Sequence, residues 1–331
     1  METTVFLFPN LTGHLNPTLQ IAKEHSQKGN KVYYASTIDV LPFSKKHGFE
    51  HYSLNSLPFA TGMEDAIHDA KKEKWLESLI DRHTDKSYKE RKKDIERLIK
   101  DLDPKWIFLD EFNYSDFILL YPFMKGRRIV LLQTKFPMYY NEQVPPLNTY
   151  AFPGKGAKSL WRKYFFKRNM KEIWGWLKYF GKSDLSILRH KFKENDLPEK
   201  YTINRQKVFK PTFRNLEEWF LVKEELDFKE QKLETWQKYV EPEIDINRAE
   251  EISESCKSFV AKAKSKPEYK LIYCSLGTVL KTHTKGKEKI VLAFFQNLID
   301  LAAEQPNYWF YIAVEKEYLK NLKPKSNGVR E

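Results

Sequence analysis

Three polar side chains that could take part in catalysis each stand where an apolar run of the sequence ends. His14 follows the run TVFLFP, Asp110 lies within WIFLDEF, and Thr134 closes RIVLLQT. If these runs are neighbouring parallel strands, their carboxyl ends share one edge of a sheet, where the three side chains can meet. Imidazole titrates near neutral pH, and a carboxylate can fix its tautomer and stabilise the imidazolium. A histidine and an aspartate at this edge therefore suit general base catalysis.

The order of strands and helices along the first half of the chain supports this placement. Short apolar runs predict strands at 3–8, 31–37, 49–54, 106–112 and 128–136. The intervening segments carry apolar residues at helical spacing and predict helices at 15–29, 39–48, 65–101 and 114–126. Strands that alternate with helices are typical of an α/β fold with a doubly wound parallel sheet.

The alternation stops at residue 137 and starts again more than a hundred residues later. We therefore predict a first Rossmann-like domain over 1–230 and a proline-containing linker over 231–247. A second Rossmann-like domain is predicted to start at 248 and to run to 331. Its strands are expected at 270–278 and 309–314, with helices near 248–264 and 286–304.

The composition excludes several classes of protein. Apolar residues make up 41% of the chain and charged residues 31%, and no run of about 18 apolar residues predicts a membrane-spanning helix. The N-terminus lacks the basic start of a signal peptide. Only two cysteines occur, Cys256 and Cys274, with no CxxC motif and no metal-binding spacing, which favours a reducing, cytoplasmic setting. The net charge of +12 would suit nucleic acid, but no nucleic-acid-binding motif occurs, so we expect no such partner.

Residues 158–182, KSLWRKYFFKRNMKEIWGWLKYFGK, combine eight lysines or arginines with a single acidic residue and many aromatic residues. Two interpretations stay open for this segment. A basic-aromatic helix can lie in the interface of an anionic membrane, which would make the protein peripherally membrane-associated. The alternative, which we favour from the sequence, is a helical hairpin that covers a binding cleft and keeps its lysine head groups in water.

The N-terminal segment FPNLTGHLNPTLQIAKEHSQKGNKVYYAS resembles the opening of the family 1 glycosyltransferases, the UDP-glycosyltransferase superfamily. The family's usual pattern is F-P-x-x-x-G-H-x-x-P-x-L-x-x-A, and this chain fills it in register with Phe8, Pro9, Gly13, His14, Pro17, Leu19 and Ala22. Further segments are similar to the family in the same order: IFLDEF, LLQTKFP, KYVEPEID with Glu241 where the family has glycine, and LIYCSLGTV. The resemblance spans residues 4–280.

This resemblance implies the GT-B fold of two Rossmann-like domains and an inverting sugar transfer. His14 would deprotonate an acceptor hydroxyl, and Asp110 would orient and stabilise the charged imidazole. The donor would be a nucleotide sugar, most simply a UDP-sugar, the acceptor a small lipophilic molecule, and no metal or other cofactor would be needed. Four residues are expected to approach the sugar or diphosphate: Thr134, Ser275, Gly277 and Thr278.

The chain departs from the family pattern near its C-terminus. The family binds its nucleotide with later motifs, W-x-P-Q and H-x-G-G, and neither occurs here. We therefore expect an incomplete, C-terminally truncated second domain with poorly covered apolar strand residues: Ile272, Tyr273, Leu276, Trp309, Tyr311 and Ile312. The alternative to a transferase is accordingly a catalytically inactive protein that binds an acceptor or a complementary C-terminal chain.

Overall fold

The computed structural model describes residues 1–62, 75–147, 149–241, 252–276, 287–314 and 316–323. The chain divides into two compact units, Met1–Asp245 and Ile246–Glu331. The strands of the two units belong to separate sheets, as the sequence predicts.

The first unit is built on one seven-stranded sheet. Its strands are β1 (Thr3–Leu7), β2 (Lys31–Ser36), β3 (Glu50–Ser53), β4 (Trp106–Asp110), β5 (Arg128–Gln133), β8 (Glu218–Phe220) and β9 (Gln237–Tyr239). They lie in the order β3-β2-β1-β4-β5-β8-β9, and every neighbouring pair is parallel. A short antiparallel pair stands apart from this sheet: β6 (Ile203–Asn204) and β7 (Thr212–Phe213). The predicted parallel α/β architecture is confirmed.

Helices connect these strands. In chain order they are α1 (Thr12–Leu15), α2 (Leu19–Gln27), α3 (Leu41–Lys46), α4 (Trp75–Thr84), α5 (Lys86–Leu102), α6 (Asp116–Leu120), α7 (Ala157–Lys178) and α8 (Asp184–Glu194). Short 3₁₀ helices occur at Asn16–Thr18, Glu111–Asn113, Tyr121–Phe123, Glu199–Tyr201 and Glu224–Leu226. No helix among the described residues is both long and apolar enough to cross a membrane.

The central strands are buried on both faces. Along β1, Val5 and Leu7 belong to one hydrophobic cluster, whereas Phe6 and the following Phe8 belong to a second cluster. Successive side chains of a strand point to opposite faces, so the two clusters lie on opposite sides of the sheet. A parallel strand with this double burial needs a continuous apolar run, which is the pattern that the sequence shows here.

The segment predicted as a linker at 231–247 contributes to the first sheet. Its residues Gln237–Tyr239 form β9, which pairs in parallel with β8. The first unit therefore extends beyond residue 230, and the strand Glu218–Phe220 lies in a stretch without a recognisable α/β pattern. These strands are only three residues long, so neither leaves a clear periodic signal in the sequence.

The second unit contains two parallel strands, β10 (Lys270–Ser275) and β11 (Tyr308–Ala313), with α9 (Glu254–Ala263), α10 (Glu288–Glu304) and α11 (Lys316–Leu319). Its core is a small cluster around Val291, Phe295 and Tyr318. The strand residues expected to be poorly covered are partly or largely exposed; Tyr273, for example, is 66% exposed.

Candidate active site

His14 lies at the carboxyl edge of the sheet, just after β1. The chain leaves β1 through Pro9 and enters the short helix α1, in which the His14 amide donates to the carbonyl oxygen of Leu11 at 2.8 Å. Pro17, at the start of the following 3₁₀ helix, suits a helical N-terminus because it needs no amide hydrogen bond there. The local sequence therefore holds the His14 backbone in a defined position beside the sheet.

Asp110 is the last residue of β4, the neighbour of β1 in the sheet. One carboxylate oxygen, Oδ1, accepts the amide hydrogen of Phe112 at 2.8 Å and so caps a 3₁₀ turn. The other, Oδ2, lies 2.6 Å from Nδ1 of His14. Since both oxygens have partners, the orientation of this carboxylate is fixed.

The contact between His14 and Asp110 expected from the sequence is therefore present in the structure. Asp110 is fully buried, and this burial raises the pKa of its carboxyl even though the His14 hydrogen bond acts to lower it. The His14 side chain keeps 12% of its surface exposed, and the Phe112 ring lies 5.2 Å from it. A catalytic role for the pair stays a prediction.

The geometry assigns different tasks to the two imidazole nitrogens. A carboxylate accepts hydrogen bonds, so Nδ1 carries the proton that faces Asp110. In neutral imidazole this tautomer leaves Nε2 as the nitrogen that can accept a proton. The pair can thus take a proton from a hydroxyl at Nε2 and keep the resulting imidazolium beside a buried carboxylate.

A cluster of buried charges stands next to the pair, and sequence reasoning missed it. Glu111, the residue after Asp110, is ion-paired with Lys135 and lies 3.7 Å from Nζ of Lys207. Burial acts to raise the pKa of Glu111, but the two lysines outweigh it and the pKa is lowered. Lys207 is itself fully buried. Glu111 is therefore an ionised carboxylate at neutral pH, one residue away from the candidate dyad.

Glu218 closes this cluster from β8. Its Oε1 lies 3.8 Å from Lys207 Nζ and accepts a hydrogen bond from Gln133 at 2.6 Å. Its Oε2 accepts hydrogen bonds from the Tyr139 hydroxyl at 2.6 Å and from Gln237 at 2.7 Å. Burial, together with the charge of Glu218, raises the pKa of Tyr139 well above its ordinary value, so that tyrosine stays a donor.

The four residues predicted to approach the donor lie in different parts of the chain. Thr134 follows β5, two residues beyond Leu132, the register partner of Asp110, so it lies at the same edge as the dyad and is half-buried. Ser275 ends β10 in the second unit and is exposed. Gly277 and Thr278 lie outside the described residues.

A cavity in the first unit lies away from the dyad. It measures about 520 Å³ and is lined by Met1, Glu2, Trp106 and Asn30, which precede or begin strands. It lies against α2 and the amino ends of β1, β2 and β4, whereas ligands of open α/β sheets bind at the carboxyl end. We base the candidate site on the dyad and its edge of the sheet instead.

Metal-ligating side chains do not gather in the described part of the chain, where no group of three histidines, cysteines, aspartates or glutamates could hold an ion. Cys256 and Cys274 are both free thiols. The expectation that the reaction needs no metal stays a prediction.

Known proteins resemble this chain in structure. No protein-family model and no curated protein sequence matches it. Among solved structures, the glycotransferase of kitacinnamycin has a TM-score of 0.57 at 13% sequence identity. The calicheamicin glycosyltransferase CalG4 has a TM-score of 0.53 at 15% identity. The spinosyn rhamnosyltransferase SpnG, complexed with thymidine diphosphate, has a TM-score of 0.51 at 13% identity.

These matches extend over nearly all of this chain and about 70% of each solved structure. The kitacinnamycin and calicheamicin enzymes each match 98% of this chain over 69% of their own length. The spinosyn enzyme matches 100% of this chain over 70% of its own length. At such low identity the likeness shows the fold alone. The chain has the α/β architecture of GT-B glycosyltransferases, and the fold class predicted from the sequence is confirmed.

Proposed function

We propose that this protein is an inverting glycosyltransferase that moves a sugar from a nucleotide sugar to a hydroxyl of a small lipophilic acceptor. The observation that carries the proposal is the 2.6 Å contact between His14 and the buried Asp110 at the carboxyl edge of a GT-B sheet. A histidine so placed has a base nitrogen on one side and a fixed carboxylate on the other, which is what a general base requires.

In the proposed reaction, Nε2 of His14 takes the proton of the acceptor hydroxyl as its oxygen attacks the anomeric carbon. The new carbon–oxygen bond forms on the face opposite the leaving group, and the bond to the diphosphate breaks. The nucleoside diphosphate leaves with the electron pair, so the anomeric configuration is inverted. Asp110 holds the imidazole through its contact with Nδ1 and stabilises the imidazolium that forms.

The donor side of the proposal rests on the four residues that the sequence predicts to approach the sugar or diphosphate. Thr134 lies at the same edge of the sheet as the dyad, and we propose that its hydroxyl donates to the sugar or diphosphate. The resemblance of the sequence to family 1 glycosyltransferases gives a similar role to Ser275, Gly277 and Thr278. We propose a UDP-sugar as donor and no metal requirement. The spinosyn enzyme was solved with thymidine diphosphate, so a thymidine diphosphate sugar is the donor to test in parallel.

The test is turnover by the purified chain and by two site variants. UDP-glucose and thymidine diphosphate glucose are each incubated with a panel of phenolic and alcoholic aglycones, and glycoside and nucleoside diphosphate are quantified, with and without a chelator. His14→Ala should lower kcat/KM by about 10²–10⁴-fold because the general base is lost. Asp110→Asn should lower it less, because the imidazole remains.

His190→Ala is the matched control, since His190 is exposed on α8 and should leave turnover unchanged. Circular dichroism checks that each variant is folded. Wild-type rates in His14→Ala would contradict the assignment of the base. Tight aglycone binding by calorimetry without turnover of either donor would favour the inactive acceptor-binding alternative instead.

A further inference from the structure

Helix α7 is fixed to the first unit by one of its faces. The Trp161 ring is buried against Met138 and Val208, and its indole N–H donates to the carbonyl oxygen of Val144 at 2.8 Å. Two turns further along the same face, Arg168 donates to the carbonyl oxygens of Arg205 and Lys207. The helix is 22 residues long, and its buried residues, Ala157 and Trp161, lie in its first two turns.

The opposite face of α7 carries a second apolar stripe, which is largely exposed in the described part of the chain. Phe166, Met170, Ile173 and Leu177 recur at intervals of three and four residues, so they line one side of the helix. Each is at least half exposed, and Phe166 reaches 67%. Trp174, beside this stripe, is 69% exposed. Folding of the described residues therefore makes little use of these side chains.

Positive charge runs along the edge of this stripe. Lys163, Lys167 and Lys171 follow one another at intervals of one helical turn and are all exposed. Within the described part of the chain, none of the three forms an ion pair. Glu172 is the single acidic residue between 158 and 182, so the surface is strongly cationic.

We propose that this outer face of α7 docks onto an anionic lipid bilayer with the helix axis parallel to the membrane plane. Aromatic and aliphatic side chains would enter the boundary between head groups and acyl chains, and the flanking lysines would meet the anionic head groups. The stripe is convex along a single helix, and a planar bilayer accommodates such a surface without a matching groove.

A second copy of this chain is a poorer occupant of the same surface. Two such stripes in contact would bring the rows of Lys163, Lys167 and Lys171 together, and the repulsion between like charges opposes that association. The lipid proposal does not depend on the proposed transferase activity, so each can fail while the other stands.

The experiment is sedimentation of the full chain with lipid vesicles. Phosphatidylcholine vesicles are compared with vesicles that also contain phosphatidylglycerol, each at low and at high salt. We expect binding to the anionic vesicles at low salt and its loss at high salt, because screening weakens the attraction of the lysines. Vesicles of phosphatidylcholine alone should retain little protein.

Two variants of α7 test the two halves of the surface. Phe166→Gln with Trp174→Gln should weaken partitioning at least about tenfold, because two buried rings are lost from the interface. The triple change of Lys163, Lys167 and Lys171 to Gln should weaken it about 10–100-fold. Two control variants should bind like the wild type. The first combines Leu226→Gln with Phe228→Gln, and the second changes Lys86, Lys93 and Lys100 to Gln.

Three outcomes would overturn the proposal. The first is absence of binding to anionic vesicles at low salt by a chain that is folded by circular dichroism. The second is a loss of binding that is equal in the α7 variants and in the controls, which would place the lipid contact elsewhere. The third is a concentration-dependent dimer, measured by light scattering, that disappears in Phe166→Gln with Trp174→Gln while vesicle binding does not occur.

Discussion

The two parallel sheets in the described part of the chain are made from strands of similar sequence, yet only the seven-stranded sheet has fully buried strand residues. The run WIFLD of β4 has its three central residues fully buried, whereas KLIYCS of β10 and YWFYIA of β11 have no fully buried residue. β4 pairs in parallel with β1, and β10 pairs in parallel with β11, both in regular register. Local sequence therefore decides that these segments pair as strands, and the helices that cover them decide how far they are buried.

The difference lies in how completely the helices cover each sheet. In the first unit, Ile21 and Ala22 of α2 contribute to the core on one side of the sheet, and Ile95 and Leu98 of α5 to the core on the other. In the second unit, Phe259 of α9 contacts Trp309, and α10 supplies a small separate cluster. Covered strands can hold large side chains and even charges at defined distances, which is what a catalytic edge needs.

The largest loss of stability should follow a cavity in the covered sheet. Phe108 is fully buried, with the Phe6 ring 4.8 Å and the Trp219 ring 5.6 Å away. Phe108→Ala should cost about 3–5 kcal/mol, because it removes buried surface and leaves a void. The matched change Tyr273→Ala should cost less than about 1 kcal/mol, since that ring is mostly exposed. Hydrogen exchange of peptides from β4 and β10 measures the stability of each unit separately. Equal losses of stability in the two variants would contradict the comparison.

A somewhat smaller loss should follow from breaking the buried ion cluster. Lys207→Met leaves Glu111 and Glu218 without a shared cation, and we expect a cost of about 3 kcal/mol in the free energy of unfolding. Lys257→Met in the second unit breaks an exposed contact with Glu254 and should cost less than about 0.5 kcal/mol. Urea denaturation of both variants measures the difference. A Lys207→Met protein as stable as wild type would show that this cluster adds nothing to the first unit.

The smallest effect should appear as a pH dependence of the first unit. Burial, with a contribution from Lys28, lowers the pKa of His25 from 6.5 to about 4. The unfolded chain thus takes up a proton below pH 6.5, and the folded chain does so only near pH 4. This contribution to stability is fully present above pH 6.5 and is lost as the pH falls toward 4.

Replacement of His25 by Gln should flatten this part of the stability curve. Thermal or urea unfolding at several values of pH between 4 and 7 would show whether the wild type loses stability faster than His25→Gln. Replacement of the exposed His190 by Gln is the control and should leave the slope unchanged. If the stability of wild type and of His25→Gln changes equally with pH, the pKa of His25 is not lowered in the folded state.

Much of the first sheet and the geometry of the dyad follow from the sequence by itself. The runs that became β1, β4 and β5 are apolar, bounded by polar or turn residues and separated by segments of helical spacing. Parallel strands expose their carboxyl ends at one edge, so His14 and Asp110 could be expected to meet although 96 residues separate them. Local periodicity and one topological rule are sufficient for that inference.

Tertiary structure alone decided the outer strands and the charge cluster. The segment Gln237–Tyr239 is short and polar, and it is a strand because β8 offers it a paired edge. Lys207 and Glu218 have no signal as buried residues, because lysine and glutamate are ordinarily exposed. They are buried here because Glu111, Tyr139 and two glutamines converge on them from distant parts of the chain. The pairing of these buried charges depends on the distances between segments that are far apart in the chain, and no local pattern in a sequence encodes those distances.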